Sequence, residues 1–124
     1  MSNKVSFDIK EIEKNDCGNK YHVSIKVPMS YGWIDDMRMV FEDGGTVFGY
    51  KLKHVKNEDD YVYFEGDIPL ETRAIYRYYF SYYVNGFLNF HKKEDIGSKD
   101  TIYRDEMWKM SVNFDTPDWA KGKI

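Results

Sequence analysis

Residues 75–91, with the sequence IYRYYFSYYVNGFLNFH, decide the fold. The stretch contains Asn85-Gly86, a dipeptide favoured in two-residue type I′ turns because both central residues of such a turn need positive φ. Before this turn apolar or aromatic side chains alternate with a more polar set, and in a strand successive side chains point to opposite faces. The stretch therefore predicts a β-hairpin.

The two faces of the incoming arm differ in character. One face is apolar or aromatic throughout and is predicted to lie in the core: Ala74, Tyr76, Tyr78, Phe80, Tyr82 and Val84. The other face is predicted to meet solvent: Ile75, Arg77, Tyr79, Ser81, Tyr83 and Asn85. Tyrosines on a solvent face are a first indication of a binding surface.

The same alternation predicts further strands at 5–12, 21–27, 36–42, 46–55, 61–68 and 107–114. Turn signals separate them, and we expect Pro28 and Pro69 to end the strands that precede them. Many short strands without a convincing amphipathic helix are typical of a β-sandwich, and the missing Cys…Trp…Cys spacing excludes an antibody-type domain. The predicted fold is all-β: an immunoglobulin-like antiparallel β-sandwich of seven to eight strands.

Composition excludes several classes of partner. The chain has 124 residues, 18% of them aromatic, and a net charge of −3. This predicts one domain without the basic patch that nucleic acid requires, and without the run of about 20 apolar residues that a membrane span requires. The N-terminus lacks an apolar signal region, and Cys17 has no second cysteine to pair with. Both features predict a cytoplasmic location.

The sequence shows no constellation for metal binding or catalysis. Its three histidines are far apart in sequence, and no zinc or calcium spacing is present: His22, His54 and His91. Glu65 and Asp67 share a strand face at a separation that suits a glycosidase, but carboxylates on almost any surface strand would do so. We therefore expect no catalytic residue, no metal ligand and no cofactor.

Aromatic residues on predicted outer surfaces point instead to sugar binding. An aromatic face packs on the apolar C–H face of a sugar ring, while neighbouring polar groups satisfy the hydroxyls. The predicted ligand-binding residues are Trp33, Tyr31, Tyr63, Arg77, Tyr79 and Tyr83. A second interpretation remains open, in which these rings pack under loops or against another domain.

Residues 116–124, TPDWAKGKI, resemble the junction found in neopullulanases, cyclomaltodextrinases and maltogenic amylases. In that group a PDW segment follows an N-terminal β-sandwich and leads into the first strand of the catalytic (β/α)8 barrel. Residues 77–80 with the Asn85-Gly86 turn resemble the penultimate hairpin of that sandwich. Residues 37–43 resemble one of its strands, and 107–114 its last strand.

The resemblance implies a domain organisation and a parent activity. Residues 1–115 would form the N-terminal sandwich, and 116–124 a linker to a catalytic barrel that this chain lacks. The parent would be an O-glycosyl hydrolase of the α-amylase family, whose catalytic residues all lie in the barrel. We therefore expect this fragment to have no enzymatic activity of its own.

The resemblance also implies partners. The N-terminal domain of this group is classed as a starch-type carbohydrate-binding module, and in several members it mediates dimerisation. The expected partners are an α-glucan oligosaccharide or polysaccharide, the barrel of the full-length chain, and a second copy of the parent enzyme. A bound calcium ion is implied only by the family resemblance. Two hypotheses follow: substrate binding or positioning, and docking without affinity for sugar.

Overall fold

A computed structural model describes residues 4–15, 18–71, 74–94 and 102–112. These residues form strands and two short 3₁₀ helices. The strands are β1 Ser6–Lys14, β2 Gly18–Pro28, β3 Ile34–Asp43, β4 Thr46–Lys51, β5 Lys53–Glu58, β6 Tyr61–Glu71, β7 Ala74–Val84, β8 Phe87–His91 and β9 Trp108–Val112. The 3₁₀ helices are Met29–Tyr31 and Arg104–Glu106. Cys17, the predicted linker and the last two residues of the strand predicted at 107–114 lie outside the described residues.

The strands form two antiparallel sheets. The four-stranded sheet has the order β1-β2-β6-β5. The five-stranded sheet has the order β4-β3-β7-β8, with β9 also paired to β7. Side chains from the inner faces of both sheets build one core, which confirms the predicted all-β sandwich. Within the described residues, no helix is long and apolar enough to cross a membrane.

The described part of the chain has nine strands because the predicted strand at 46–55 is divided in two. The division falls at Leu52, whose side chain is buried and whose N–H donates to the Met37 carbonyl at 2.8 Å. Before Leu52, β4 pairs with β3; after it, β5 pairs with β6 in the other sheet. The single-strand prediction was wrong because alternation reports which face a residue takes, not which sheet holds it.

Among the described residues, three hairpins turn through two residues that both have positive φ. Asn85 and Gly86 have φ values of 51° and 84°, which confirms the predicted type I′ geometry. Gly44-Gly45 makes the same turn between β3 and β4, and Asp59-Asp60 makes it between β5 and β6. The register of three of the strand pairs is therefore fixed by their turns.

The predicted core face of β7 is confirmed. Tyr76, Tyr78, Phe80 and Tyr82 are all buried, and Phe80 packs on Phe7 of β1 with ring centroids 4.9 Å apart. The ring centroid of Trp108 of β9 lies 5.0 Å from that of Phe7, and the Trp108 ring stacks on Tyr78 with centroids 5.7 Å apart. Burial in this aromatic cluster raises the pKa of Tyr78 to about 12.

Two local predictions were wrong. Ser81 is only 8% exposed, because it lies between Arg38 of β3 and Phe90 of β8 rather than in open solvent. Pro69 does not end its strand, since β6 continues to Glu71. A proline lacks the N–H of a ladder bond and is tolerated where one side of a strand has no partner. In the described structure β5 pairs with β6 only as far as Glu65, which leaves that side free at Pro69.

Candidate functional site

The predicted ligand-binding residues lie in three separate places. Tyr31 and Trp33 lie in the connection between β2 and β3, close to the end of β7 that carries Tyr83. Arg77 and Tyr79 lie further along the outer face of the five-stranded sheet. Tyr63 lies on the outer face of the four-stranded sheet. One ligand of a few sugar rings therefore cannot contact the whole predicted set.

Trp33 is fixed in place by Asn85 of the β7–β8 turn. The Asn85 N–H donates to the Trp33 carbonyl oxygen, and the Trp33 N–H donates to Asn85 Oδ1, both at 2.8 Å. The backbone of Trp33 is thus held from two directions, while the residue as a whole remains 74% exposed. The result is a large aromatic side chain presented to solvent from a well-anchored backbone.

The connection to Trp33 is shaped by Gly32. This residue has φ of +130°, a conformation that side chains with a Cβ rarely adopt. A Cβ added at Gly32 would lie 2.4 Å from Asn85 Nδ2, so the loop and the Asn85 side chain need the glycine to come together. At the start of the loop, the Met29 N–H donates to the Asp60 carbonyl at 2.8 Å. These contacts tie three connections together at one end of the sandwich.

Tyr83 and Asp35 extend the surface beside Trp33. They lie opposite one another on β7 and β3, and both are exposed. Cross-strand neighbours have Cβ atoms about 5 Å apart, so a ring and a carboxylate share one small area there. We call Tyr31, Trp33, Asp35, Tyr83 and Asn85 the Trp33 platform. It combines exposed aromatic rings with a carboxylate and an amide.

Arg77 lies far from this platform. At about 3.4 Å per residue of strand, it lies about 20 Å from Tyr83 along β7. Its guanidinium donates to the Arg104 carbonyl at 2.6 Å, and Arg104 in turn forms an ion pair with Glu42 at 2.6 Å. Arg77 therefore secures the 3₁₀ helix Arg104–Glu106 against the sheet.

Tyr79 is largely occupied by packing. Its ring meets Phe90 edge-to-face with centroids 5.6 Å apart. Burial raises the pKa of Tyr79. Tyr79 lies between Val40 of β3 and Phe90 of β8, so less of its ring surface is exposed to a ligand than at Trp33.

Tyr63 belongs to a different surface, where lysines cover the rings. Lys56 Nζ lies 4.8 Å from the centroid of Tyr63, and Lys26 Nζ lies 4.4 Å from that of Tyr61. Such cation–π contacts occupy a ring face that stacking on a sugar would need. Tyr63 therefore offers less free aromatic surface than the Trp33 platform.

The same outer face carries an ion-pair cluster around His22. Its Nδ1 lies 2.8 Å from Asp67 Oδ1, and its Nε2 lies 3.6 Å from Glu65 Oε1. The hydrogen bond with Asp67 is the main reason that the pKa of His22 is raised. The two carboxylates contact opposite nitrogens of the His22 ring. Over the residues that the structure describes, no group of three His, Cys, Asp or Glu is arranged to hold a metal.

Two further clefts flank Tyr50 at the opposite end of the sandwich. One runs along Asn19 and Leu70, and the other along Phe48 and Tyr76. None of the predicted ligand-binding residues is among the described residues that line them. They are consequently separate from the Trp33 platform.

Sequence reasoning named Asn85 as a polar neighbour able to bind sugar hydroxyls, but it missed Asp35 as a member of the platform. Asn85 was identified as a turn residue, and the turn signal gave no indication that its side chain would hold Trp33. Nothing in the sequence pattern pointed to Asp35 as a neighbour of the exposed rings. Their role depends on the pairing of β3 with β7, which the alternation pattern does not specify.

Comparisons with known proteins support the fold. No family model matches this sequence, and no curated protein sequence matches it. A solved structure named cyclomaltodextrinase is similar to this chain with a TM-score of 0.66 over 95% of its length, at 13% sequence identity. The chain spans 21% of the length of that protein. At this identity the likeness establishes a shared β-sandwich fold for a segment of an enzyme about five times as long.

Proposed function

We propose that this chain is a non-catalytic accessory domain of an α-glucan-degrading glycoside hydrolase, and that it binds maltodextrin- or starch-type substrate at the Trp33 platform. The observation that carries the proposal is the exposed ring of Trp33, whose backbone Asn85 holds through two hydrogen bonds. The sandwich it shares with a cyclomaltodextrinase and the PDW segment at 117–119 support the class of parent enzyme.

The platform has the two kinds of group that a sugar requires. The rings of Trp33 and Tyr83 offer apolar faces to the C–H surface of a glucose unit. The Asp35 carboxylate accepts hydrogen bonds from hydroxyls, and the Asn85 amide nitrogen donates one. Stacking on one or two rings gives weak binding, with Kd about 1 mM and a binding free energy of about −4 kcal/mol. Weak binding suits a domain that delivers substrate to a catalytic centre rather than retaining it.

An NMR titration tests the proposal. Maltoheptaose or β-cyclodextrin, added to about 10 mM, is expected to shift the indole N–H signal of Trp33 and the ring signals of Tyr83. Cellohexaose, which presents β-linked glucose, serves as the ligand control. Trp33→Ala is expected to abolish the shifts at Tyr83. Ile75→Ala is the matched variant, because Ile75 is also an exposed apolar residue and lies about 30 Å away along β7. A flat titration with both α-glucans would overturn sugar binding by this domain.

A docking function is the second candidate, and a specific observation favours it. Phe87 is 75% exposed and Met29 is also exposed, both at the end of the sandwich that carries Trp33. Neither side chain can hydrogen-bond a sugar hydroxyl, whereas both would pack well against a protein. The proposed occupant is the catalytic domain or a second subunit of the parent enzyme.

The two candidates are separated in the enzyme that carries this domain. If docking is the function, Met29→Ser with Phe87→Ser changes the oligomeric state, or the ratio of polymer to cyclodextrin hydrolysis. Under docking, Trp33→Ala would leave glucan binding unaltered, whereas under sugar binding it would weaken it. If the Met29 and Phe87 variants keep the wild-type mass and activity ratio, docking at this end is excluded.

A further inference from the structure

β4 is a sheet edge without the usual protection. It ends the five-stranded sheet, and in the described part of the chain it pairs only with β3. The sequence of β4 is TVFGYK, with a single charge at its last position, Lys51. The edge strands of the other sheet, β1 and β5, read SFDIKEIEK and KHVKNE. Charges on an edge strand oppose pairing with another chain, and β4 largely lacks them.

The backbone groups that β4 directs outward follow from its turn. In a type I′ hairpin the residues that flank the turn are hydrogen-bonded to each other, here Asp43 and Thr46. Hydrogen-bonded and non-hydrogen-bonded pairs alternate along the strands from there, so the backbone groups of Phe48 and Tyr50 bond to β3. The bond from the Leu52 N–H to the Met37 carbonyl continues the same parity. The N–H and C=O groups of Val47, Gly49 and Lys51 therefore point away from β3.

These outward groups are self-complementary. In an antiparallel pairing with a second copy, centred on Gly49, Gly49 faces its own equivalent and Val47 faces Lys51. Each of these pairs exchanges both N–H···O bonds, as the outward direction of their groups requires. No like charges face each other. Between them Phe48 faces Tyr50, which extends the aromatic group that these two residues already form at 6.0 Å.

We propose that two copies of this chain associate by antiparallel pairing of their β4 strands, which joins the two five-stranded sheets into one. The inference does not depend on sugar binding, because the β4 edge and the Trp33 platform share no residue. The contact is short, so the dimer is a weak one that forms at high concentration.

Analytical ultracentrifugation tests the pairing over about 10 µM to 1 mM protein. Val47→Lys places a cation opposite Lys51 of the second copy and is expected to lower the association constant about tenfold. Adding Lys51→Glu to that variant restores opposite charges and is expected to restore association. Ile75→Lys is the matched control, because it adds the same charge at an exposed apolar position on the central strand of the same sheet.

Amide hydrogen exchange gives a second readout. Dimerisation is expected to slow exchange at Val47, Gly49 and Lys51, the residues whose N–H groups point outward. A chain that stays monomeric at 1 mM, or a dimer that Val47→Lys weakens no more than Ile75→Lys does, overturns the proposal. Association that the double variant fails to restore overturns the register centred on Gly49.

Discussion

Asn85 and Trp33 hold each other through two hydrogen bonds of 2.8 Å, one between backbones and one from the Trp33 N–H to the Asn85 side chain. Asn85 thus performs two tasks, since it also takes the left-handed position of the turn at φ 51°. Turn formation and presentation of the exposed ring depend on the same side chain.

Asn85→Gly separates these two tasks. Glycine accepts the positive φ without strain but removes the side-chain acceptor, so the expected loss is about 1 kcal/mol of unfolding free energy. We also expect faster hydrogen exchange at the Trp33 amide. Asn85→Asp is the control, because it keeps Oδ1 and tolerates the turn. Urea unfolding and exchange measure both variants, and equal Trp33 exchange rates in the two would contradict the prediction.

The Asp59-Asp60 turn is expected to be open to stabilisation. Both residues have positive φ, at 53° and 67°, and neither is glycine. Replacing them with Asn-Gly, the pair found at 85–86, should relieve backbone strain and raise the free energy of unfolding by about 1 kcal/mol. The Asp60 carbonyl, which accepts the Met29 N–H, is kept by the substitution. Urea denaturation is the measurement, and an unchanged or lower midpoint would show that the aspartates carry no strain.

Gly66 is required by the packing of Leu52. A Cβ at Gly66 would lie 2.7 Å from Leu52 Cδ2, and Leu52 is buried where the chain changes sheets. Gly66→Ala is therefore expected to cost about 1–3 kcal/mol of stability. In a Leu52→Ala background the same change should cost much less, since the opposing methyl group is gone. Additive costs in this double-mutant cycle would contradict the proposed clash.

The His22 cluster predicts a pH dependence of stability with a defined sign. Because the folded-state pKa of His22 is raised, the ion pair with Asp67 stabilises the fold fully below the ordinary histidine pKa of about 6.5, provided that the carboxylate is ionised. The contribution is lost as pH rises through the raised pKa. The cluster is exposed, so we expect well under 1 kcal/mol.

NMR titration of His22 measures this directly. Asp67→Asn is expected to lower the pKa of His22 more than Glu65→Gln does, because the hydrogen bond with Asp67 is the largest cause of the shift. The stability difference between wild type and Asp67→Asn should vanish at alkaline pH. A difference that grows with pH would refute the assignment.

The hairpin around residues 75–91 was predictable because its signals are local. Asn85-Gly86 specifies the turn, and the alternation from Tyr76 to Tyr82 specifies the buried face. The passage of the chain between sheets at Leu52 was not predictable, because it depends on which distant strand offers hydrogen bonds. Ser81 shows the same limit, since its burial comes from neighbours on two other strands.

The candidate site was predictable in part for the same reason. Tyr83 stands out as an aromatic residue on the outer face of an alternating strand, and Trp33 stands out as an aromatic residue in a predicted loop beside Gly32. Their grouping does not, because Tyr63 follows the same pattern on the opposite sheet. Only the pairing of the strands shows that Trp33 lies beside Asn85 and that Tyr63 lies beneath Lys56.

The passage at Leu52 gives the two long sides of the sandwich different mechanical properties. On one side a single residue, Leu52, joins β4 to β5, so the covalent backbone holds the edges of the two sheets together there. On the other side the sheets meet through side chains, among them Phe7 of β1 against Trp108 of β9. A pulling force or a thermal fluctuation should therefore part the sheets at Phe7 and leave the Leu52 side closed. We therefore expect partial opening of this domain to pivot on the Leu52 side of the sandwich.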